Sequence, residues 1–356
     1  MSPQKLPTDK LTLYYSISNS FRDFDFKDAT FENIANSHFV VGGLVTKDEK
    51  TISLRKLKSK LHITDNTVKE IKPEDIVAES LEECLSSDWL ADFLQMMLDC
   101  DWMVYSININ TFYHSLMGIA DIMNIADSKA VGLLKKEICS WLYGVLKNDM
   151  QNTSELFAKY DFPNIAKENN KDFVDDLIKI IHKPFEDTRE TLLMYTFMFL
   201  LQEAKKKKRL SSLQSDSIKT LPKIIEDTFR DKIMLLGNPA IVGCPFMAEN
   251  SEEEKGRGML SADCKLKKNC SDIVVEVLHR FLEFVSQPLS EVEGCIQKLD
   301  DKQMHCFKLL CQVMKDSTDY NSCFLNMLLP YGDLSTFFKT YIKYGNTGLI
   351  DFNHIR

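Results

Sequence analysis

The stretch that most constrains the fold of this chain runs from Leu11 to Val45. Two runs rich in Tyr, Ile, Val and Phe, at Leu11 to Ile17 and His38 to Val45, flank a polar segment of Asp, Asn and Lys. The second run contains Gly42-Gly43 close to its end. Aromatic and β-branched runs bounded by Gly and polar clusters are typical of strands. The sequence therefore predicts two early strands joined by a long loop.

Small polar residues lie at the C-terminal end of the first predicted strand: Ser16, Ser18 and Asn19. Many α/β proteins carry their chemistry at this end of a buried strand. The serines are either a nucleophile or turn residues that satisfy the backbone. The sequence favours turn residues, because neither a neighbouring His nor a Gly-x-Ser-x-Gly elbow supports nucleophilic catalysis.

The remainder of the chain is predominantly helical. A third strand is predicted at Trp102 to Asn108. Apolar residues at helical spacing predict helices at Ser53–His62, Asp88–Leu98 with Asp88 as N-cap, Phe112–Asn124, Ala130–Asn148, Lys171–His182, Thr188–Arg209, Leu221–Leu236 and 273–285. The fold class is therefore α/β or α+β, with a small strand core made early and completed late.

Composition and charge narrow the classes of function. The formal net charge is -8, which argues against a general nucleic-acid coat but leaves a local basic groove open. The 10 Cys form no CxxC pair, and the N-terminus has no apolar signal segment, so we expect reduced thiols in a cytoplasmic protein. The longest apolar run, Thr191 to Leu201, is shorter than the roughly 20 residues of a membrane span. We expect no membrane partner and no organic cofactor.

Five short motifs occur in an order that resembles a bacterial family. They are the turn at Tyr14–Ser20, the strand at His38–Leu44, Glu70-Ile71-Lys72, the strand-to-helix segment Tyr105–Asp121, and Asp263-Cys264-Lys265 with Ser271-Asp272. In this order the chain resembles ribonuclease-H-like putative nucleases that open with an Asp-Glu-Ser-Gly or Asp-Glu-x-Asn-Asn turn. The resemblance spans most of residues 11 to 285.

The resemblance implies a ribonuclease-H-like mixed sheet with a large helical insertion and a helical C-terminal region. On that basis residues 1–125 form the first part of the core, 126–236 a helical insertion or lid, 237–290 the return to the core, and 291–356 a helical extension. We expect a late helix that bears Asp272 to complete the core.

The resemblance also implies metal-dependent chemistry. Such nucleases hold two Mg²⁺ about 4 Å apart with carboxylates from separate elements. The expected catalytic residues are Glu70, Asp121, Asp263 and Asp272, with Glu70 and Asp272 as ligands to Mg²⁺ or Mn²⁺ and Lys72 as a phosphate contact. However, the chain has Ser16, Ile17 and Gly118 where the family usually has Asp, Glu and Asp. Loss of the bridging carboxylate at position 16 would abolish two-metal catalysis.

Each acidic candidate also has an ordinary interpretation. Glu70 and Lys72 would otherwise be an exposed pair on a loop edge. Asp121 would be a solvent-facing helix residue, and Asp263 a residue of a polar surface loop. Ser271-Asp272 would cap a helix that starts at this point.

The densest basic run comprises Lys205, Lys206, Lys207, Lys208 and Arg209. It is either a nucleic-acid-binding segment or a solvated helix end that complements the helix dipole. The sequence leaves both interpretations open.

The sequence thus supports three hypotheses. The first is a cytoplasmic bacterial protein of metal-dependent nuclease ancestry that processes or binds nucleic acid, in a setting of anti-phage defence that the resemblance implies. The second is a catalytically inactive relative that acts as a protein-binding or scaffolding subunit, as Ser16, Ile17 and Gly118 indicate. The third is a helical interaction protein without nuclease ancestry.

Overall fold

A computed structural model describes residues 10–18, 38–47, 59, 77–121, 129–162, 165–206, 240–242, 262–322 and 324–331. The fold is mixed α/β, as predicted, and the chain divides into two compact units. The sheet unit comprises residues 1–19, 39–108 and 226–356, and the helical unit comprises residues 20–38 and 109–225. The predicted helix Leu221–Leu236 lies outside the described residues. The same holds for the predicted helix Ser53–His62, except for Ser59.

Five strands form one sheet. They are β1 (Leu11–Ser18), β2 (His38–Lys47), β3 (Met103–Asn110), β4 (Ala240–Val242) and β5 (Leu325–Leu328), and their order is β4-β1-β2-β3-β5. β1 pairs antiparallel with β2 and parallel with β4. The three strands that the sequence predicted are confirmed, each within two residues at either end. The short strands β4 and β5 were not predicted.

The glycine pair lies inside β2 rather than at its end. Gly42 and Gly43 have φ values of 152° and 145°, which residues with a Cβ rarely adopt. A Cβ on Gly42 would lie 2.0 Å from the carbonyl oxygen of Tyr105, and one on Gly43 would lie 1.9 Å from that of Tyr14. These positions require glycine because the neighbouring strands approach so closely.

Ten α-helices are found in the part of the chain that the structure describes. The sheet unit contains α1 (Leu81–Leu85), α2 (Asp88–Asp99), α8 (Ala262–Val285), α9 (Leu289–Ile296) and α10 (Asp301–Tyr320). The helical unit contains α3 (Thr111–Asp121), α4 (Lys129–Lys147), α5 (Met150–Tyr160), α6 (Asn170–Ile181) and α7 (Thr188–Lys206). A short 3₁₀ helix at Lys167–Asn169 precedes α6.

The helices of the sheet unit begin at residues that suit helix ends. Ser87, rather than the predicted Asp88, is the N-cap of α2, because its side chain accepts a hydrogen bond from the backbone N–H of Leu90 at 3.3 Å. Asp300 and Gln303 form a capping box at the start of α10.

One predicted helix start is wrong. We expected Asp263 to lie in a polar surface loop and Ser271-Asp272 to cap a helix that starts there, but α8 begins at Ala262. Its first turns carry Lys265, Lys267 and Lys268, which hid the helix from a search for apolar periodicity. Ser271 and Asp272 are therefore interior helix residues, and the capping interpretation does not hold.

The helical unit has a core of aromatic side chains. Phe157 and Phe162 stack with ring centroids 4.2 Å apart, and Phe173 packs against both. The helical unit also contains a buried polar contact. The Asn110 side chain donates to the hydroxyl of Tyr143 at 3.1 Å. Burial raises the pKa of Tyr143 to about 12.

Among the described residues, none of the helices combines the length and the apolar character that crossing a membrane requires.

Candidate functional site

The candidate site lies in the sheet unit, where α8 packs against β1. Side chains alternate between the two faces of a strand. Ser16 and Ser18 are buried on the face toward α8, whereas Ile17 is 42% exposed on the opposite face. A Glu at position 17 would therefore point away from α8. Positions 16 and 18 are therefore those through which the end of β1 contributes to a site on this face.

Ser271 fixes α8 on the β1–β2 pair. Its hydroxyl donates to the carbonyl oxygen of Tyr14 and accepts from the backbone N–H of Leu44 at 3.2 Å. A Cβ on Gly43 would lie 2.2 Å from this hydroxyl oxygen. The glycine at position 43 and the serine at position 271 thus allow the helix to approach the sheet closely.

Ser16 and Asp272 are in direct contact, although 256 residues separate them in the chain. The Ser16 hydroxyl donates to Oδ1 of Asp272 at 2.5 Å. The ammonium of Lys268, one helical turn earlier on α8, donates to the same oxygen and forms an ion pair. We call Ser16, Asp272 and Lys268 the Ser–Asp–Lys network. A lysine ammonium in this network balances the carboxylate charge.

A second network lies further along the same face. Ser18 and Nδ1 of His279 are 2.5 Å apart, and Nε2 of His279 lies 3.2 Å from Oε1 of Glu283. Because an ionised carboxylate only accepts, Nε2 of His279 donates to Glu283. Arg280 donates to Oε2 of Glu283 and to the carbonyl oxygen of Ala78, both at 3.1 Å.

The electrostatic environment keeps Glu283 ionised. Burial alone raises the pKa of this carboxyl group. The hydrogen bond and charge of His279, and then those of Arg280, outweigh burial, so that the pKa of Glu283 lies below its ordinary value. Glu283 is therefore a fixed negative charge that orients the imidazole of His279.

The order Ser18–His279–Glu283 is that of a nucleophile, a base and an orienting acid. However, Ser18 is 1% exposed and His279 is 8% exposed. A nucleophile must reach its substrate, and a hydroxyl this deeply buried does not. The second network therefore holds the end of β1 against α8, which is a positioning role.

The two networks differ in the ions they suit. Mg²⁺ prefers oxygen ligands, of which Asp272 supplies one carboxylate. His279 and Glu283 offer the nitrogen and oxygen ligands that transition metals use, but here they hydrogen bond to each other. Of the two ligands predicted for Mg²⁺ or Mn²⁺, Asp272 lies among the described residues, and its Oδ1 is likewise engaged, by Ser16 and Lys268.

The other predicted site residues are described less fully. Glu70, Lys72, Lys207, Lys208 and Arg209 lie outside the described residues. The backbone places Gly118 and Asp121 in α3 and Lys205 and Lys206 in the last turn of α7. Asp263 lies nine residues before Asp272 in α8, about 13.5 Å along the helix axis. An ion bound to Asp272 would therefore take its other ligands from residues other than Asp263.

Sequence reasoning missed Lys268, His279 and Glu283. A usable signal existed, because Lys268, Asp272, His279 and Glu283 recur at intervals of four, seven and four residues and so lie along one side of α8. A line of charged residues on a largely apolar helix indicates a partner that is also polar. Ser16 and Ser18 on β1 are that partner.

The comparisons with known proteins add no relative. The chain matches no protein-family model, no curated protein and no solved structure. The candidate site therefore has to be interpreted from its own geometry.

Proposed function

We propose that this chain is a ribonuclease-H-like protein of metal-dependent nuclease ancestry that has lost hydrolysis and acts as a binding or scaffolding subunit. The Ser–Asp–Lys network carries this proposal. The resemblance assigns Ser16 to the position of the family's bridging Asp and selects the late-helix Asp272. Contact between these two side chains supports the proposal. The mixed sheet, with an early antiparallel pair and a parallel strand from late in the chain, supports the same ancestry.

The physical reason for lost hydrolysis is charge. Two divalent ions need several carboxylates, and the pair Ser16 and Asp272 offers one negative charge instead of two. Oδ1 of Asp272 already accepts hydrogen bonds from Ser16 and Lys268. The Lys268 ammonium supplies the positive charge that an ion would supply, without any ability to activate water.

The test is a restoration of the carboxylate. The variant S16D/K268A places a second carboxylate beside Asp272 and removes the competing ammonium. We expect it to bind Mn²⁺ in titration calorimetry, and the variant S16D/K268A/D272N to lose this binding. Failure of the first variant to bind Mn²⁺ while it remains folded by circular dichroism would contradict the proposed ancestry of the site.

Nucleic-acid binding is a second candidate function, favoured by the five consecutive basic residues from Lys205 to Arg209. Phosphate contacts through such residues would weaken steeply as salt rises. We expect binding of labelled single-stranded RNA or DNA, measured by fluorescence anisotropy, to decrease when all five residues are replaced by Gln. Binding that is unchanged by these replacements, or independent of salt, would contradict this candidate.

A further inference from the structure

The outer face of α7 in the helical unit exposes large apolar side chains. Leu192, Tyr195 and Phe199 are 65%, 57% and 61% exposed. Their spacing of three and four residues places them along one side of the helix, and we call them the α7 stripe. The opposite side carries Met194, Phe197, Leu201 and Ala204, which are buried.

A helix that is apolar on all sides normally has partners on all sides. Single exposed apolar residues are common on protein surfaces, but contiguous ones mark interaction sites. The α7 stripe combines two aromatic rings and a leucine on consecutive turns. Such side chains are the usual anchors of protein interfaces.

The charges at the two ends of α7 have opposite signs. Glu186, Asp187 and Glu190 are exposed at the start of the helix, where the one basic residue, Arg189, is paired with Glu137. Lys205 and Lys206 occupy its last turn. Glu186 lies six residues before Leu192, the first residue of the stripe, and Lys205 lies six residues after Phe199, the last. The acidic and basic ends are thus equally far from the stripe.

We propose that the α7 stripe is a self-association surface on which a second copy of this chain docks its own α7 in antiparallel orientation. A two-fold axis between the stripes would place the basic end of each helix against the acidic end of its partner. It would also place the two helix dipoles antiparallel, which is the favourable arrangement for helices that lie side by side. A parallel pair would instead bring like charges together at both ends, so the charge pattern selects the antiparallel arrangement.

This inference goes beyond the proposed function and does not depend on the Ser–Asp–Lys network. The α7 stripe belongs to the helical unit, and the network to the sheet unit. A restored metal site in a monomeric protein, or a dimer without any metal site, would separate the two proposals.

Sedimentation velocity of the full chain over a range of concentrations tests the proposal. We expect the wild type to dimerise and Y195E/F199E to raise the dimer dissociation constant at least about tenfold, because two carboxylates would be buried in an apolar interface. Ile17→Glu is the matched control, since Ile17 is also an exposed apolar residue but lies on β1. Circular dichroism checks that both variants remain folded.

A charge-swap series tests the orientation. K205E/K206E alone should weaken the dimer, and addition of E186K/D187K in the same chain should restore it, because both ends of an antiparallel pair then regain opposite charges. A wild type that stays monomeric at every concentration, or a dimer that Y195E/F199E leaves intact, would overturn the proposal. A dimer that the second swap fails to restore would overturn the antiparallel arrangement.

Discussion

In the sheet unit, charged and hydroxyl side chains lie between a strand and a helix, whereas in the helical unit large apolar side chains of α7 face solvent. Between β1 and α8, Asp272 contacts Ser16 and Lys268, and Ser18 contacts His279. On α7, a partner that covered Leu192, Tyr195 and Phe199 would remove their exposed apolar surface from water, which is favourable. The polar region is therefore suited to holding the fold together, and the apolar region to binding a partner.

The largest effect is expected where α8 approaches the sheet most closely. Gly43→Ala places a Cβ 1.9 Å from the carbonyl oxygen of Tyr14 and 2.2 Å from the Ser271 hydroxyl, at a φ of 145°. We expect the free energy of unfolding, measured in urea, to fall by about 3 kcal/mol or more.

The control for this substitution is a glycine in the helical unit. Gly132 lies in α4, and a Cβ there would meet nothing within 4 Å. Gly132→Ala should raise the free energy of unfolding by about 0.5–1 kcal/mol, because alanine favours the helix. A loss at position 132 that equals the loss at position 43 would remove the contrast between the two regions.

The next effect concerns the buried hydroxyl that fixes α8. Ser271→Ala leaves the carbonyl of Tyr14 and the N–H of Leu44 without this partner, so we expect a loss of about 1–3 kcal/mol in the free energy of unfolding. Thr191→Val is the control, because the Thr191 hydroxyl donates to the nearby carbonyl of Asp187 in an exposed hydrogen bond. Its effect should stay within about 0.5 kcal/mol. Equal effects would show that Ser271 is not a special contact.

The second network should produce a dependence on pH. The pKa of Glu283 is lowered from 4.5 in the folded state, so its contribution to stability is present above pH 4.5 and is lost as the pH falls through the folded value. Glu283→Gln should therefore cost about 1–2 kcal/mol at pH 7 and progressively less below pH 4.5. Thermal unfolding at pH 7 and pH 3 measures the difference.

The control for this titration is Glu291→Gln, since Glu291 is exposed on α9. Its cost should be near zero at both pH values. A cost for Glu283→Gln that does not change between pH 7 and pH 3 would mean that the charge of Glu283 does not stabilise the fold.

The smallest effect is expected on the surface of the helical unit. Asp176 pairs with Lys159 and Lys179, and both interactions lower the pKa of Asp176. The two lysine side chains are largely exposed, so solvent screens the pairs. Asp176→Asn should change the free energy of unfolding by about 1 kcal/mol or less, and 1 M NaCl should remove the difference. A larger, salt-independent loss would place this cluster with the buried networks.

Local sequence signals were sufficient for β1, β2 and β3, because aromatic and β-branched residues fill them and polar residues bound them. The strand β4 is only three residues long, and β5 has no aromatic or β-branched residue, so the pairing of both depends on tertiary contacts. The helix α5 was missed because its sequence, MQNTSELFAKY, is polar apart from one buried side.

The site was harder to predict than the fold. The family resemblance selected Ser16 and Asp272 separately, but a contact across 256 residues cannot be read from spacing. No His is adjacent to Ser18 in the sequence, so a base for this hydroxyl was not predicted. The partner lies 261 residues away, on a helix that packs against β1.

The proposed function requires that a lysine and a serine have replaced the metal chemistry at Asp272. Titration calorimetry with Mn²⁺ and Mg²⁺, on the wild type and on Asp272→Asn, tests it most directly. The proposed function predicts no ion binding that depends on Asp272, so the two proteins should give the same baseline heats. Stoichiometric binding by the wild type that disappears in Asp272→Asn would contradict the claim and would show that a working metal site survives.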